Sequence, residues 1–279
     1  MRQALAIVRH DVEIAAALAI IVLLVAAGAL GPVLWRGDPL NVDVVNALLP
    51  PSLEHPMGTD DVGRDVLARF ALGARTSLLV AALVTILGTL IGCAAGVVAG
   101  LASGWVDVVL SRTMDAILAF PPLIFAMAVA IGVGPGVLAA VIGVVLTAIP
   151  WYFRLLRGEV LRLRELAFIE SARALGVSPY GLIIRHILPQ TTSTVFVQAA
   201  AVFSFSILTL AALGFVGLGI QPPTPEWGAM ITEGLQYALT GQWWLGVFPG
   251  LGVFLAAVAS GMVADRMRDL FDPKSLARL

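Results

Sequence analysis

The sequence predicts an all-α integral membrane protein with six membrane-spanning helices. Of its 279 residues, 59% are apolar and only 13% are charged, and the mean hydropathy is +0.96. Such a chain has too little polar surface to cover a soluble globule of this size. Six apolar runs also approach or exceed the roughly 20 residues that a helix needs to cross a bilayer. The charged residues cluster between these runs, as expected for loops in water.

The predicted spans follow one another at 14–34, 77–101, 113–133, 136–153, 194–218 and 243–263. They divide the chain into an N-terminal segment 1–13, a first helix 14–34, a loop 35–76, a core 77–264 of five helices and a tail 265–279. The first span could also be a cleaved signal peptide. Its apolar stretch is longer than such peptides usually have, and Asp11 and Glu13 precede it, which favours an uncleaved span.

The second span contains glycines at a strict four-residue spacing, which places them on one helix face: Gly88, Gly92, Gly96, Gly100 and Gly104. Small residues let helices approach closely in lipid, where the hydrophobic effect does not drive association. We therefore predict a packing face, either within the chain or with a sister subunit. A smooth surface that slides during gating is the alternative. In the third and fourth spans, Pro121, Pro122 and Pro150 predict kinks.

The basic residues predict the orientation. Only Arg36, Arg64, Arg69 and Arg75 lie on the side opposite the termini, and the other 13 of the 17 lysines and arginines lie on the terminal side. By the positive-inside rule, both termini and the loop 154–193 are cytoplasmic. Four tryptophans on the opposite side suit an interfacial aromatic belt: Trp35, Trp227, Trp243 and Trp244.

Polar residues outside the spans suggest one local cluster but no metal site. Asp60, Asp61, Arg64 and Asp65 could form a docking surface or a local ion-pair network, and we favour the network. His55 has no second histidine or cysteine nearby, so the sequence predicts no metal centre. The near-neutral net charge of −1 indicates no nucleic-acid partner.

Several function classes are disfavoured by what the spans lack. They hold almost no ionisable side chain apart from Asp115, whereas ion-driven carriers usually carry functional charges near mid-membrane. A self-sufficient carrier or channel is therefore the less favoured alternative. No span combines a serine with a histidine or holds a pair of aspartates, so an intramembrane hydrolase is disfavoured. The only lysine, Lys274, has no glycine-rich phosphate loop before it, so energy must come from another polypeptide.

The most informative segment is the loop 170–189, ESARALGVSPYGLIIRHILP. Helix formers from Glu170 to Leu175 end at Gly176, where a C-terminal glycine is expected. Ser178 then suits an N-cap and Pro179 the first helical position. The pattern predicts two short helices that meet at a bend. Its apolar residues could insert into a groove of a partner or could pack on the end of the bundle.

This loop resembles the EAA loop of bacterial ABC-importer permeases. Glu170, Ala172, Gly176, Leu188 and Pro189 agree with that pattern, while Ser171 replaces an alanine and His186 an isoleucine. The ending ArgHisIleLeuPro is similar to the variant of the dipeptide and oligopeptide importers. Further blocks of the same subgroup are HPMGTDDVGRDVLARFALGARTSL from His55, GWVDVVLSRTMDAILAFPPL from Gly104, LGFVGLGIQPPTPEWGAM from Leu213 and FPGLGVFL from Phe248. The resemblance covers nearly everything from His55 onward.

The resemblance implies a type I ABC-importer permease of the C type, with six spans and no enzymatic activity of its own. Implied partners are a homologous permease in a heterodimer, two cytoplasmic ATPase subunits that bind ATP and Mg, and an extracytoplasmic substrate-binding protein, all at the bacterial cytoplasmic membrane. The implied cargo is a dipeptide or oligopeptide, with nickel chelates, glutathione and haem-like compounds as alternatives.

The resemblance also implies roles for residues of the loop. The residues assigned to the ATPase interface are Glu170, Ser171, Ala172, Arg173, Ala174, Leu175, Gly176, Val177, Ser178 and Pro179. Arg185, His186 and Pro189 are expected to brace the loop. The residues that line the pathway are not identified by the sequence.

Overall fold

The computed structural model describes residues 2–35, 38–102 and 104–271, with side chains except at 2–11, Arg173, Pro179 and Phe271. Within these residues the chain forms ten α-helices and no β-strand, which confirms the predicted all-α class. The helices are α1 Arg2–Leu34, α2 Val66–Leu101, α3 Trp105–Leu118, α4 Pro122–Val133, α5 Val137–Arg164, α6 Ala167–Ala174, α7 Pro179–Leu182, α8 Leu188–Phe215, α9 Trp227–Leu235 and α10 Trp244–Phe271.

Five of these helices are long and apolar enough to cross a membrane: α1, α2, α5, α10 and the stretch that ends in α8. A sixth crossing arises if α3 and α4 count as one span, since together they pass the same test. These two helices meet at an angle of 95°. The bend falls at Pro121 and Pro122, where the sequence predicts a kink, because α4 begins with a proline that lacks the N–H to continue α3. Pro150, by contrast, lies inside α5, which is assigned as one helix across it.

The helices extend beyond the predicted spans at several ends. Helix α2 begins at Val66, inside the predicted loop 35–76, because the Asp65 carboxylate caps it by accepting a hydrogen bond from Ala68 N at 2.8 Å. Helix α5 continues to Arg164 and α10 to Phe271. An apolar run indicates only the part of a helix that lies in lipid. The polar turns at the ends of the helix are therefore not predicted from it. Residues 272–279 of the predicted tail lie outside the described residues.

The glycine face of α2 packs against α5 within the chain. Gly88, Gly92, Gly96 and Gly100 are all buried. A Cβ built on Gly92 would lie 2.7 Å from the carbonyl oxygen of Ile149, and the other three would also lie within 3.0 Å of an α5 atom. No side chain fits at such distances, so only glycine permits this approach.

Helix α5 presents a matching face to these glycines. Ala148, Tyr152, Leu156 and Val160 repeat every four residues and are at most 1% exposed. These side chains therefore pack closely on the face that the glycines leave open on α2. Gly104 does not take part, contrary to the prediction, because α2 ends at Leu101 and Gly104 instead precedes α3 with φ +83° and open space around it.

The loop before α2 is held by a compact polar cluster, as the favoured sequence interpretation expected. Arg64 Nε donates to Asp60 Oδ2 at 2.6 Å, and Arg69 contacts Asp60 at 3.3 Å and Glu233 at 2.7 Å. His55 Nδ1 lies 2.8 Å from an oxygen of Asp65. The cluster joins the loop to α2 and to α9. Burial raises the pKa of Glu233, while the nearby Arg69 opposes this rise.

Two of the four tryptophans expected at the membrane surface are instead buried. Trp227 is fully enclosed, stacks on Phe70 with ring centroids 5.5 Å apart, and donates its Nε1–H to the Phe70 carbonyl. Trp244 is 5% exposed and donates to the carbonyl of Thr59. Because each indole ring is buried and its N–H is hydrogen-bonded, both tryptophans belong to the core and not to the membrane surface. Trp243, which is 52% exposed, fits the predicted position at the surface.

Helix packing gives a first test. We expect Gly92→Ala to destabilise the protein by about 1–3 kcal/mol, because the added methyl group collides with the backbone of α5. The matched control is Gly158→Ala on α5, where no atom lies within 4 Å of the added Cβ. Thermal unfolding in detergent, followed by size-exclusion of the heated samples, should show a lower midpoint for Gly92→Ala only. Equal midpoints would contradict the packing described.

Candidate functional site

The candidate site is the polar segment between α5 and α8. Two residues separate the end of α5 from the start of α6. Helix α6 ends at Ala174, shortly before Gly176, which adopts φ +80°, a left-handed conformation that favours glycine. The N–H of Val177 donates to the Ala172 carbonyl at 3.1 Å. This is the closing bond of a Schellman motif. The predicted role of Gly176 as helix terminator is therefore confirmed.

The chain restarts as the sequence predicts. The Oγ of Ser178 accepts a hydrogen bond from the N–H of Gly181 at 3.2 Å, so Ser178 is an N-cap. Pro179 is the first residue of α7, the position that tolerates its missing N–H. The side chain of Pro179, like that of Arg173, lies outside the described residues.

The prediction of a separate second short helix is wrong. Helix α7 passes through a π-helical segment, Ile183–Ile187, directly into α8. The N–H of Leu188 bonds to the Ile183 carbonyl, five residues back. Pro189 follows in the first turn of α8 and has no N–H to give to the regular ladder, which accounts for a wider turn here. The loop is therefore a bend followed by the start of a membrane helix.

The interior of the loop is a small apolar cluster. Ile169 is 1% exposed, Ala172 8% and Leu182 4%, and Val177 packs against them. These contacts join α6 to α7 across the bend. Ala172 is thus largely buried within the loop itself, and its contact with an ATPase stays a prediction.

The outer surface of the loop carries apolar side chains that nothing in the described chain covers. Leu175 is 85% exposed and Tyr180 is 72% exposed. Glu170, Ser171 and Ala174 are also exposed. Tyr180 was missed in the sequence, although a large aromatic residue just after an N-cap in a polar loop could have indicated it.

The three residues expected to brace the loop differ in their contacts. The ring of His186 lies 6.2 Å from that of Phe168, measured between centroids, and so links the π-helical segment to α6. Arg185 is exposed and forms no hydrogen bond or ion pair with any described residue, and its bracing role stays a prediction. Pro189 is exposed and acts through its backbone, as described above.

Ion pairs fix α3 to α5 near the loop. Arg157 Nη2 donates to Asp107 Oδ2 at 2.7 Å, and its Nε donates to the other carboxylate oxygen. Arg154 donates to Asp115 at 2.8 Å. The bidentate geometry of the first pair orients both helices. Asp115, the one acidic residue noted in the spans, is thus paired with a cation.

The chemistry available at this site is recognition. Its described residues offer apolar side chains, two carboxylates, one guanidinium and one imidazole. Across the described ranges, no three His, Cys, Asp or Glu residues are grouped so that they could hold a metal ion. The loop is connected directly to α5 and α8.

Comparison with known sequences identifies the class of protein. Residues 88–276 match the family described as "Binding-protein-dependent transport system inner membrane component". The chain is 40% identical over 256 residues to the probable D,D-dipeptide transport system permease protein DdpC of Escherichia coli K12, covering 92% of this chain and 86% of that protein.

Two further relatives have similar coverage. Identity is 37% over 243 residues with the dipeptide transport system permease protein DppC of Alkalihalophilus pseudofirmus, covering 87% of this chain and 80% of that protein. It is 44% over 224 residues with the glutathione transport system permease protein GsiD of Shigella flexneri, covering 80% and 74%.

The fold is also similar to a solved structure. A chain of the MetNI methionine ABC transporter, in inward-facing conformations, aligns with a TM-score of 0.56 and 20% identity, over 72% of this chain and 95% of that one. This likeness supports the type I importer fold. The chain belongs to the family of inner membrane components of binding-protein-dependent transport systems. It is therefore a multi-pass inner-membrane permease subunit of an ABC importer, and membership implies ATPase and substrate-binding partners.

The bend of the loop gives a second test. We expect Gly176→Val to distort the turn, because a β-branched residue at φ +80° is strained. Gly176→Asn is the matched control, since asparagine tolerates the left-handed region. In the purified transporter, Gly176→Val should lower substrate-stimulated ATP hydrolysis at least several-fold while Gly176→Asn stays close to wild type. Equal loss in both variants would show that the backbone conformation is not what matters.

Proposed function

We propose that the loop from α6 to α7 couples this permease to its ATPase subunits, and that the assembled transporter imports dipeptides or oligopeptides. The observation that carries the coupling role is the exposed apolar surface of Leu175 and Tyr180 on a loop that is otherwise folded around its own buried cluster. A protein groove that takes up such side chains would gain the free energy of burying them.

The connections of the loop support transmission of movement. Helix α5 leads into α6 after a turn at Glu165 and Leu166, and α7 continues into α8 without a flexible linker. A displacement imposed on Leu175 is therefore passed to two long membrane helices. In the proposed cycle, closure of the ATPases on ATP moves the loop and thereby opens the pathway alternately to the two sides. The ATP and Mg belong to the ATPase subunits, and this chain is not itself an enzyme.

The proposed orientation places the loop and both termini in the cytoplasm. The excess of basic residues on that side supports it. Helix α5 ends with Arg162 and Arg164 just before the loop. The polar cluster around Asp60 and Arg64 would then face the extracytoplasmic binding protein. We further propose a heterodimer with a homologous permease, which would complete the pathway beside this chain.

The cargo class follows from the relatives. Two of the three relatives described above are dipeptide permeases, and the ending ArgHisIleLeuPro resembles that subgroup. A glutathione permease is 44% identical, which makes glutathione, itself a tripeptide derivative, the second candidate. Nothing observed favours nickel chelates or haem-like compounds.

The coupling proposal is tested by placing a charge on the exposed side chain. Leu175→Asp should reduce substrate-stimulated ATP hydrolysis of the purified complex by tenfold or more, because the aspartate would have to be desolvated in an apolar groove. Leu239→Asp is the control, since Leu239 is fully exposed at the far side, after α9. Both substitutions are at exposed positions, so insertion and folding should be unaffected.

The second readout is physical association. Leu175→Asp should lower the amount of ATPase subunit that co-purifies with the permease, and Leu239→Asp should not. Full coupled hydrolysis and normal co-purification in Leu175→Asp would refute the assignment of this surface to the ATPase.

The cargo proposal is tested by transport into proteoliposomes that contain the complete system. We expect uptake of labelled dipeptides that is competed by unlabelled di- and tripeptides. Uptake of glutathione without uptake of dipeptides would replace the first candidate with the second. Uptake by this chain alone, without ATPase subunits, would refute the permease proposal as a whole.

A further inference from the structure

A large apolar cavity lies between α1 and the rest of the bundle. Its volume is about 520 Å³, and residues of α1, α2, α8 and α10 line it. Apart from Arg75, the only polar side chain of its lining is Ser260, whose hydroxyl already donates to the Ala256 carbonyl at 2.6 Å. The interior is therefore suited to a hydrocarbon chain rather than to a polar solute.

The cavity begins where α1 and α2 touch. A Cβ on Gly28 would lie 2.8 Å from the backbone nitrogen of Arg75, and one on Gly31 would lie 2.6 Å from the Ala71 methyl group. This contact fixes the two helices at one end. Farther along, Ile21 and Val25 of α1 face Ala82 of α2 across the open space. The cavity thus extends for about two helical turns, roughly 11 Å, away from Arg75.

Arg75 is the one charged residue in the lining. It is exposed, and it forms no hydrogen bond or ion pair with any residue that the structure describes. Arg69, two turns earlier on the same helix, is paired with Asp60 and Glu233. An unpaired guanidinium beside an apolar surface attracts an anion, and phosphate matches its planar set of donors.

The position of Arg75 along α2 matches the level of lipid headgroups. The helix has 36 residues and is therefore about 54 Å long, against about 30 Å of hydrocarbon in a bilayer. If the surplus is shared between both ends, the hydrocarbon begins about 12 Å from Val66. The Arg75 backbone lies roughly 14 Å from Val66, about 2 Å inside this boundary, so its long side chain reaches the headgroups. Trp35, which donates to Asp65 at 3.1 Å, marks the same end of α1.

We propose that this cavity is a phospholipid site. One acyl chain occupies the space between α1 and α2, and the lipid phosphate pairs with Arg75. The lipid comes from the leaflet on the side of Asp65 and Trp35, and it completes the packing of α1 against the bundle.

The test uses the complete purified transporter with added phosphatidylglycerol, and native mass spectrometry counts the lipids retained. We expect Arg75→Ala to weaken the tightest lipid by about tenfold, the loss expected for one charge-assisted hydrogen bond. Ala82→Phe should have a similar effect because it fills the cavity, whereas Arg75→Lys should keep most of the binding. The control Arg112→Ala removes another exposed cation outside the cavity, and it should leave lipid binding unchanged.

A cross-linking measurement identifies the occupant directly. The single native cysteine, Cys93, is replaced by serine, and a photoreactive group is attached to Leu79→Cys at the cavity. We expect adducts with phospholipid in native membranes. Adducts with the sister permease instead, or equal lipid retention by wild type, Arg75→Ala and Ala82→Phe, would overturn the proposal.

Discussion

The close approach of α2 and α5 is the contact on which the rest of this structure depends. Lipid chains are as apolar as leucine, so burial of apolar side chains does not drive helices together within a membrane. Dispersion contacts remain, and they require short distances. Gly92 and Gly96 supply them, because a side chain at either position would collide with a backbone oxygen of α5. Other elements attach to this pair, α3 through the Asp107–Arg157 ion pair and α1 through its own glycine contact with α2.

This rigid pair gives the proposed coupling loop a mechanical context. Helix α5 carries the loop at one end and the glycine contact along its length, so a force on the loop acts on a packed two-helix unit. On the other side, the π-helical segment joins the loop to α8 and is the one irregular turn between them. Tightly packed helices move as units. A change in their relative position often occurs at an irregular turn such as a π-helical segment. The loop is therefore connected on one side to the tightly packed helix α5 and on the other side, through the π-helical turn, to α8.

The sequence predicted the helical class, the crossings, the glycine face and the turn at Gly176, because each depends on a local pattern of residues. It did not predict that α2 begins at Val66 or that Ala172 is buried. The first depends on a local cap by Asp65, which lies outside the apolar run, and the second depends on packing against Leu182 across the bend. Trp227 also shows the limit of sequence patterns, since composition places tryptophan at membrane surfaces whereas this one is buried and stacks on Phe70 of α2.

The motif around Glu170 meets two separate physical demands. Ile169 and Ala172 face inward, three residues apart on one side of α6, and they stabilise the bend with Leu182. Glu170, Ala174 and Leu175 face outward. The inward residues are explained by this chain alone. Leu175 lies outside that cluster, and 85% of its surface is exposed at the tip of the loop. The proposed coupling role assigns this side chain to a second protein, which is why a charge at this one position separates the fold of the loop from its function.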